Sequence, residues 1–383
     1  MKRSTERILT THTGSLPRPD DLLPLIFAKE AGQQADDARF QDQVVAAVFE
    51  TVRRQADAGV DVLNDGEMSK PTYATYVKDR LSGFGGEGSM GVVSSRTAYG
   101  QQAAEFPDFR PPAPAPSVTP TLKFVSCDGP IAYEKPEPLQ RDIENVQRAA
   151  DGLAAEDLFM SAASPGVIAL FAANGYYGSE DEYLDALANA MRTEYEAIVA
   201  AGLTLQLDCP DLALPRTGTS LPEYLAETER RVEVLNAAVA NIAPEDMRVH
   251  VCWGNGEVPR NHDVALRDIV SILFKLRPAG LMLMAANGAH EHEWKVFEDV
   301  ALPDGKYLVP GVIDCTTNII EHPEVVAQRL TRYAGVVGRE NIMAGTDCGF
   351  GTGAGMQVVA PSIVWAKFRS LSEGARLASQ ELY

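Results

Sequence analysis

Short apolar runs alternate with longer amphipathic ones along almost all of the 383 residues, and this alternation limits the possible folds more than any other feature of the chain. Eight strand-like runs lie within residues 8–19, 60–67, 158–166, 203–210, 247–252, 280–285, 307–314 and 342–348. Helical spacing separates them over about 38–58, 139–153, 180–201, 221–241, 263–276, 291–300 and 322–336, with Val44, Val45, Val48, Val52 and Ala56 repeating on one face of the first. Mostly apolar strands alternating with helices indicate a parallel sheet covered by those helices. The expected fold is therefore α/β, a (β/α)8 TIM barrel. An open doubly wound sheet would want a glycine-rich phosphate loop after its first strand, and Gly14-Ser15-Leu16-Pro17 is not one.

One region breaks the rhythm. Gly83, Gly85, Gly86, Gly88 and Gly91 are followed by Pro107, Pro111, Pro112, Pro114, Pro116 and Pro120. Loops this long are uncommon in compact domains unless they act as lids or arms. Residues 83–138 are thus expected to be a Gly/Pro-rich arm inserted into a single domain spanning 1–383, with a strand over 121–126. Such an arm could close over the site or join copies in a homo-oligomer.

Charge excludes some partners. With 34 basic and 53 acidic residues the chain carries −19, which repels nucleic acid and anionic membranes. No apolar run reaches 18 residues, and the N-terminus enters polar Thr10-Thr11-His12-Thr13 where a signal peptide would need an apolar stretch, so a cytoplasmic location is expected. Cys127, Cys209, Cys252, Cys315 and Cys348 are odd in number and widely spaced, unlike a disulfide framework.

Polar residues collect where the strands end: Ser15, Glu67, Asp208, His250, Cys252, Asp314 and Cys348. In a barrel of this kind the C-terminal ends of the strands form the catalytic face. His250 and Cys252 are two residues apart in a β-rich run, so their side chains share a face. Joined by Cys348 from a distant strand end, they suit a tetrahedral zinc with one open position. The structural alternative is a satisfied core histidine with two buried thiols.

Several segments together resemble the cobalamin-independent methionine synthase family, specifically its C-terminal catalytic barrel and shorter stand-alone relatives that include epoxyalkane:coenzyme M transferases. They are His12-Thr13-Gly14-Ser15-Leu16-Pro17-Arg18-Pro19, Asp65-Gly66-Glu67, Gln206-Leu207-Asp208, His250-Val251-Cys252-Trp253-Gly254-Asn255, His290-Glu291-His292-Glu293-Trp294, Glu321-His322-Pro323 and Thr346-Asp347-Cys348-Gly349-Phe350. The resemblance implies that His250, Cys252 and Cys348 ligate Zn2+, that Glu67 and Asp208 bind the ammonium group of an amino-acid thiol such as homocysteine, and that the Ser15 loop holds its carboxylate. Asp347, Asp314 and His290 are candidates for orienting a ligand or shuttling a proton. Tyr176 and Tyr177 are candidates for positioning the alkyl donor.

The chain departs from that family at one place. A glutamate expected at the end of the 281–284 run is replaced by Met284 or Ala285. Water could complete the metal's shell, Glu291 or His290 could swing in, or the metal could be held more weakly. The expected activity is zinc-dependent alkyl transfer, most simply of a methyl group, from a small donor to a thiol. Alternatives are epoxide opening by coenzyme M, whose sulfonate would call on Arg18 or Lys70, and a metal-free lyase on a related barrel.

Overall fold

A strand whose every residue is buried must lie between two apolar layers, and most strands here are of that kind. The computed structural model describes residues 2–33, 37–88, 105–109, 122–214 and 218–383. Among these, β1 (Val62–Leu63), β2 (Gly86–Glu87), β3 (Val125–Ser126), β4 (Asp157–Ala163), β5 (Thr204–Asp208), β6 (Met247–Val251), β7 (Gly280–Met284), β8 (Tyr307–Ile313) and β9 (Gly345–Thr346) follow in chain order. Seven of them form one parallel sheet in the order β1-β4-β5-β6-β7-β8-β9. Residues in β5, β6, β7 and β8 are buried throughout.

The expected eight-stranded barrel needs correction. The first predicted strand contributes one bridge, Thr10 to Ala344, rather than a ladder. Its backbone nevertheless spans the two edges of the curled sheet. Val62 N–H donates to Thr10 O (3.0 Å) on one side, while Thr11 N–H donates to Ala344 O and Ala344 N–H to Leu9 O (both 2.8 Å) on the other. Regular pairing stops because the Asp61 carboxylate takes the Thr10 N–H at 2.8 Å.

Two apolar layers result. Leu9, Val62, Phe159, Met282, Tyr307, Val309 and Met343 cluster inside the sheet's curl. A larger core lies between sheet and helices. The helix Asp37–Asp57 buries Phe40, Val44, Ala47, Val48, Val52 and Gln55, one stripe at helical spacing. Helices Glu137–Ala150, Glu180–Ala200, Leu221–Ala238, Leu266–Leu273 and Pro323–Val337 match predicted positions to within a few residues. The predicted 291–300 helix is a 3-10 turn, Glu291–Lys295, followed by the short helix Val296–Asp299. Leu23–Glu30, Pro165–Phe171 and Pro361–Leu382 were not anticipated. No helix among the described residues is long and apolar enough to cross a membrane.

Part of the arm falls outside the described residues. Where it is described, β2 and β3 pair antiparallel, and Glu105 reaches the segment after β6, accepting from Asn261 (2.6 Å) and contacting the His262 ring (2.7 Å).

The C-terminal helix is docked by a buried ion pair. Lys367 Nζ lies 2.9 Å from Glu321, donates also to Asp314 O, and has no exposed side-chain surface. Breaking one partner of a buried pair strands the other charge. Lys367→Met is therefore expected to lower unfolding free energy by about 3–5 kcal/mol, read from urea denaturation. The double variant Lys367→Met/Glu321→Leu should recover most of the loss.

Candidate metal centre and substrate pocket

His250 lies in β6 and Cys252 is the first residue beyond it, so the period of the strand turns both side chains to one face. Cys348 stands two residues beyond β9. The donor atoms of the three residues lie within 4.8 Å of one another, and all three side chains are buried. The Cys348 thiol donates to Cys252 Sγ across 3.8 Å. That bond holds Cys252 well below the usual thiol range, with His250 adding to the effect, and it pushes Cys348 up.

Both ring nitrogens of His250 are buried without a hydrogen-bond partner. An imidazole in that condition is costly unless something else binds it. Two sulfurs at ~2.3 Å from a tetrahedral ion would sit about 3.8 Å apart, which agrees with the separation of Cys252 and Cys348. The donor set thus fits a zinc-type cation, and no carboxylate among the described residues joins the cluster.

Neighbouring residues fix the loops that carry the ligands. Asn255 Nδ2 donates to Gly349 O (3.2 Å) and Thr352 Oγ1 (3.3 Å), tying the segment after β6 to the segment after β9. Arg260 adopts a left-handed φ of 59° and donates to the carbonyls of Trp253, Gly254 and Gly256. A non-glycine residue in that region costs energy and persists only where its surroundings demand it.

The structure moves His290 out of the pocket. Its ring stacks on Trp253 at 4.1 Å, while Nδ1 meets Glu293 (2.9 Å) and Nε2 meets Asp263 (3.0 Å). With both nitrogens engaged, His290 is in no position to ligate a metal. Burial alone would lower its pKa, but the hydrogen bonds to Asp263 and Glu293 prevail and raise it to about 8. Glu291, the other candidate to swing in, is paired with Arg329 at 3.3 Å.

Asp347 is likewise not a partner of His250. Its carboxylate accepts the backbone N–H groups of Ala285, Ala286 and Asn287 at 2.7–2.9 Å, fixing the end of β7. Burial pushes it up to about 7 against those bonds. Asp314 caps its own turn, accepting from Thr316 N and Oγ1. Met284 Sδ accepts the Trp253 N–H at 3.3 Å, so the residue at the expected acidic position supports the Cys252 segment. The Tyr177 hydroxyl accepts from Ile131 N (2.9 Å) and so anchors the return of the arm, while Tyr176 is exposed.

The two predicted carboxylates do converge. Glu67 has a left-handed φ of 59°, its N–H is held by Asp65 Oδ1 (2.9 Å), and its Oε1 accepts from Ser161. Oε2 is buried and lacks a hydrogen-bond partner. Burial raises Asp208 to about 7, with the neighbouring His250 lowering it and Glu67 raising it. Ser15 packs directly on Gly349, where a Cβ would collide with its hydroxyl. Arg18 donates to Leu16 O, Gly351 O and Lys70 O, and Lys70 to Ser161 O, so both cations are engaged by the protein. Cys209 is buried and its thiol is pushed well up by burial, unlike a nucleophile.

Gln206, Ser161, Arg248 and Arg260 were given no role by sequence reasoning. A signal existed for two of them: Gln206 stands two residues before Asp208 and Arg248 two before His250, on the same strand faces.

The chain is similar to known proteins. The family described as cobalamin-independent synthase, catalytic domain, matches residues 177–363, which include Asp208 and all three metal-ligand candidates. A methionine synthase of Sulfurisphaera tokodaii is 25% identical over 374 residues, covering 97% of this chain and 93% of that one. The methionine synthase of Saccharolobus solfataricus is also 25% identical, over 379 residues, with 97% and 95% covered. A B12-independent methionine synthase from a Shewanella species, solved with selenomethionine, shares the fold at a TM-score of 0.75 and 18% identity, covering 98% and 99% of the two chains.

His290 offers a test of the support around Cys252. Because its folded pKa of about 8 exceeds the unfolded 6.5, its contribution is full below about pH 6.5 and disappears as pH rises through about 8. His290→Gln should be most destabilised relative to the parent near pH 6. The gap is expected to narrow by about 2 kcal/mol by pH 9, measured by urea denaturation across that range.

Proposed function

This chain belongs to the cobalamin-independent methionine synthase family, and on that premise we propose that it transfers a methyl group from a small donor to the thiol of homocysteine with the help of a zinc ion. The observation that carries this reading is the buried His250, Cys252 and Cys348 cluster, whose imidazole has no other partner. Zinc bound there would keep the acceptor sulfur ionised at neutral pH, where a free thiol near pKa 8.5 is mostly protonated.

The protein's own groups supply binding and alignment. Glu67 Oε2, which has no hydrogen bond and only a 3.8 Å ion pair to Arg18, and the nearby Asp208 carboxylate suit an ammonium group, which brings three donors and a positive charge. In this reading the backbone of the Ser15 loop receives the amino acid's carboxylate, which its packing on Gly349, next to Cys348, supports. Burial of the cluster excludes water from the sulfur. The S–CH3 bond forms as the donor–CH3 bond breaks, the thiol proton having left to solvent on binding. Alignment of the two reactants supplies much of the acceleration.

Epoxide opening by coenzyme M gains no support. A sulfonate would face Glu67 and Asp208, and Arg18 and Lys70 already donate to carbonyl oxygens. Asp347 and His290 act in this scheme as supports of the strand ends and not as proton carriers.

Purified protein is expected to hold one zinc per chain. Cys348→Ser or His250→Ala should weaken zinc binding by at least about 10-fold and abolish methionine formation, followed by mass spectrometry with homocysteine and a panel of methyl donors. Full activity in a thoroughly demetallated sample would refute the zinc reading.

A further inference from the structure

Beneath the pocket, Arg248 lies inside the curl of the sheet with no exposed surface. Its guanidinium covers the Phe159 ring at 4.0 Å. It donates to Gln206 Oε1 (2.8 Å), Thr11 Oγ1 (2.9 Å) and His12 O (3.0 Å). None of these partners is a carboxylate. A guanidinium has only donors, so its bond to Gln206 assigns the amide unambiguously: the carbonyl end faces Arg248 and the NH2 end faces away.

That NH2 group has two tasks. It donates to Asp208 Oδ1 at 2.9 Å and to Thr13 O. Thr13 N–H in turn donates to Thr346 Oγ1 (3.2 Å), and the Thr346 hydroxyl donates to Cys348 O (3.0 Å). One amide therefore links the carboxylate at the ammonium end of the pocket to the segment that carries a sulfur ligand at the other end.

We propose that Gln206, locked in orientation by Arg248, is the positioning residue that makes the pocket select thiols bearing an ammonium group. The proposal rests on the acceptor reading given above. Engaging Asp208 Oδ1 from below leaves its other oxygen to act with the neighbouring Glu67, whose Oε2 has no hydrogen bond and lies 3.8 Å from Arg18 Nη2 in a buried ion pair. Two fixed acceptors then meet an ammonium without having to reorganise. Without Gln206, Asp208 can turn away from its carboxylate neighbour.

The test compares zinc-loaded wild type with Gln206→Met and Gln206→Glu by titration calorimetry, using L-homocysteine and its des-amino analogue mercaptobutanoate as probes. Gln206→Glu retains an acceptor for Arg248 but turns a second oxygen toward Asp208 Oδ1 and Thr13 O, so in its ionised form it has nothing to donate to either. Circular dichroism and zinc content report whether each variant is folded and loaded. Wild type should prefer homocysteine, and both variants should lose about 10- to 100-fold in homocysteine affinity, the scale of one hydrogen bond to a charged group. Mercaptobutanoate affinity should change less than about 3-fold, on the order of a neutral hydrogen bond at most.

Should folded, zinc-loaded Gln206→Glu keep the wild-type preference, the positioning role is overturned while the acceptor reading stands. Equal loss for both probes would mean a general structural role and overturns it as well. If wild type itself does not distinguish the two thiols, the acceptor reading fails, and the proposal fails with it.

Discussion

A buried positive charge without a carboxylate partner organises this protein. Arg248 would be expensive inside the sheet if its donors went unused, since taking a charge out of water is repaid only by well-made bonds. Three of its bonds are made to Thr11, His12 and Gln206. Two of those residues belong to the segment that spans the edges of the sheet, so satisfying the guanidinium and bridging the curl are one event. The third transmits the arrangement upward to Asp208 and, through Thr13 and Thr346, towards Cys348.

Above this layer the metal-ligand candidates are held by an unusual amount of polar structure. Asn255, Arg260, Met284, Asp347 and the His290–Trp253 stack all act on the backbone after β6, β7 or β9. A donor set misplaced by an ångström loses much of its value to a cation or a reacting atom. Glu67 and Arg260, left-handed non-glycine residues, belong to the same economy of position: one aims a carboxylate, the other gathers carbonyls. The methionine at the position where the family resemblance anticipates an acid adds to backbone support and contributes no charge.

The chemistry follows from which polar groups are satisfied and which are not. Asp347, His290, Lys70 and Tyr177 are all bonded within the protein, which makes them framework, and Arg18 is held by three carbonyls although its Nε has no hydrogen bond. The His250 ring nitrogens and Glu67 Oε2 are buried without a hydrogen bond, Glu67 having only a 3.8 Å ion pair to Arg18, and buried polar atoms of that kind call for an explanation such as a ligand. One is an imidazole beside two sulfurs, the other a carboxylate oxygen of a residue that acts electrostatically on Asp208. A soft cation and an ammonium group are the complements, and the proposed binding of homocysteine through its sulfur to zinc would supply both ends.

The sequence by itself determined the α/β alternation, the boundaries of most helices to within a few residues, and the pairing of His250 with Cys252, because these depend on local periods of 3.6 and 2. Tertiary structure decided the rest. The first predicted strand became a bridge because Asp61, distant in sequence, takes its amide. The C-terminal helix carries a readable stripe of Val364, Phe368, Leu371, Ala375 and Ala378, yet its docking through Lys367 and Glu321 depends on a partner that no local pattern specifies. Asp347 and His290 stand beside motif residues in the chain and carry the right chemistry, but only three-dimensional packing sets their hydrogen-bond partners. Spacing reveals which face a side chain shares; whether its polar atoms are already satisfied is a property of the whole fold.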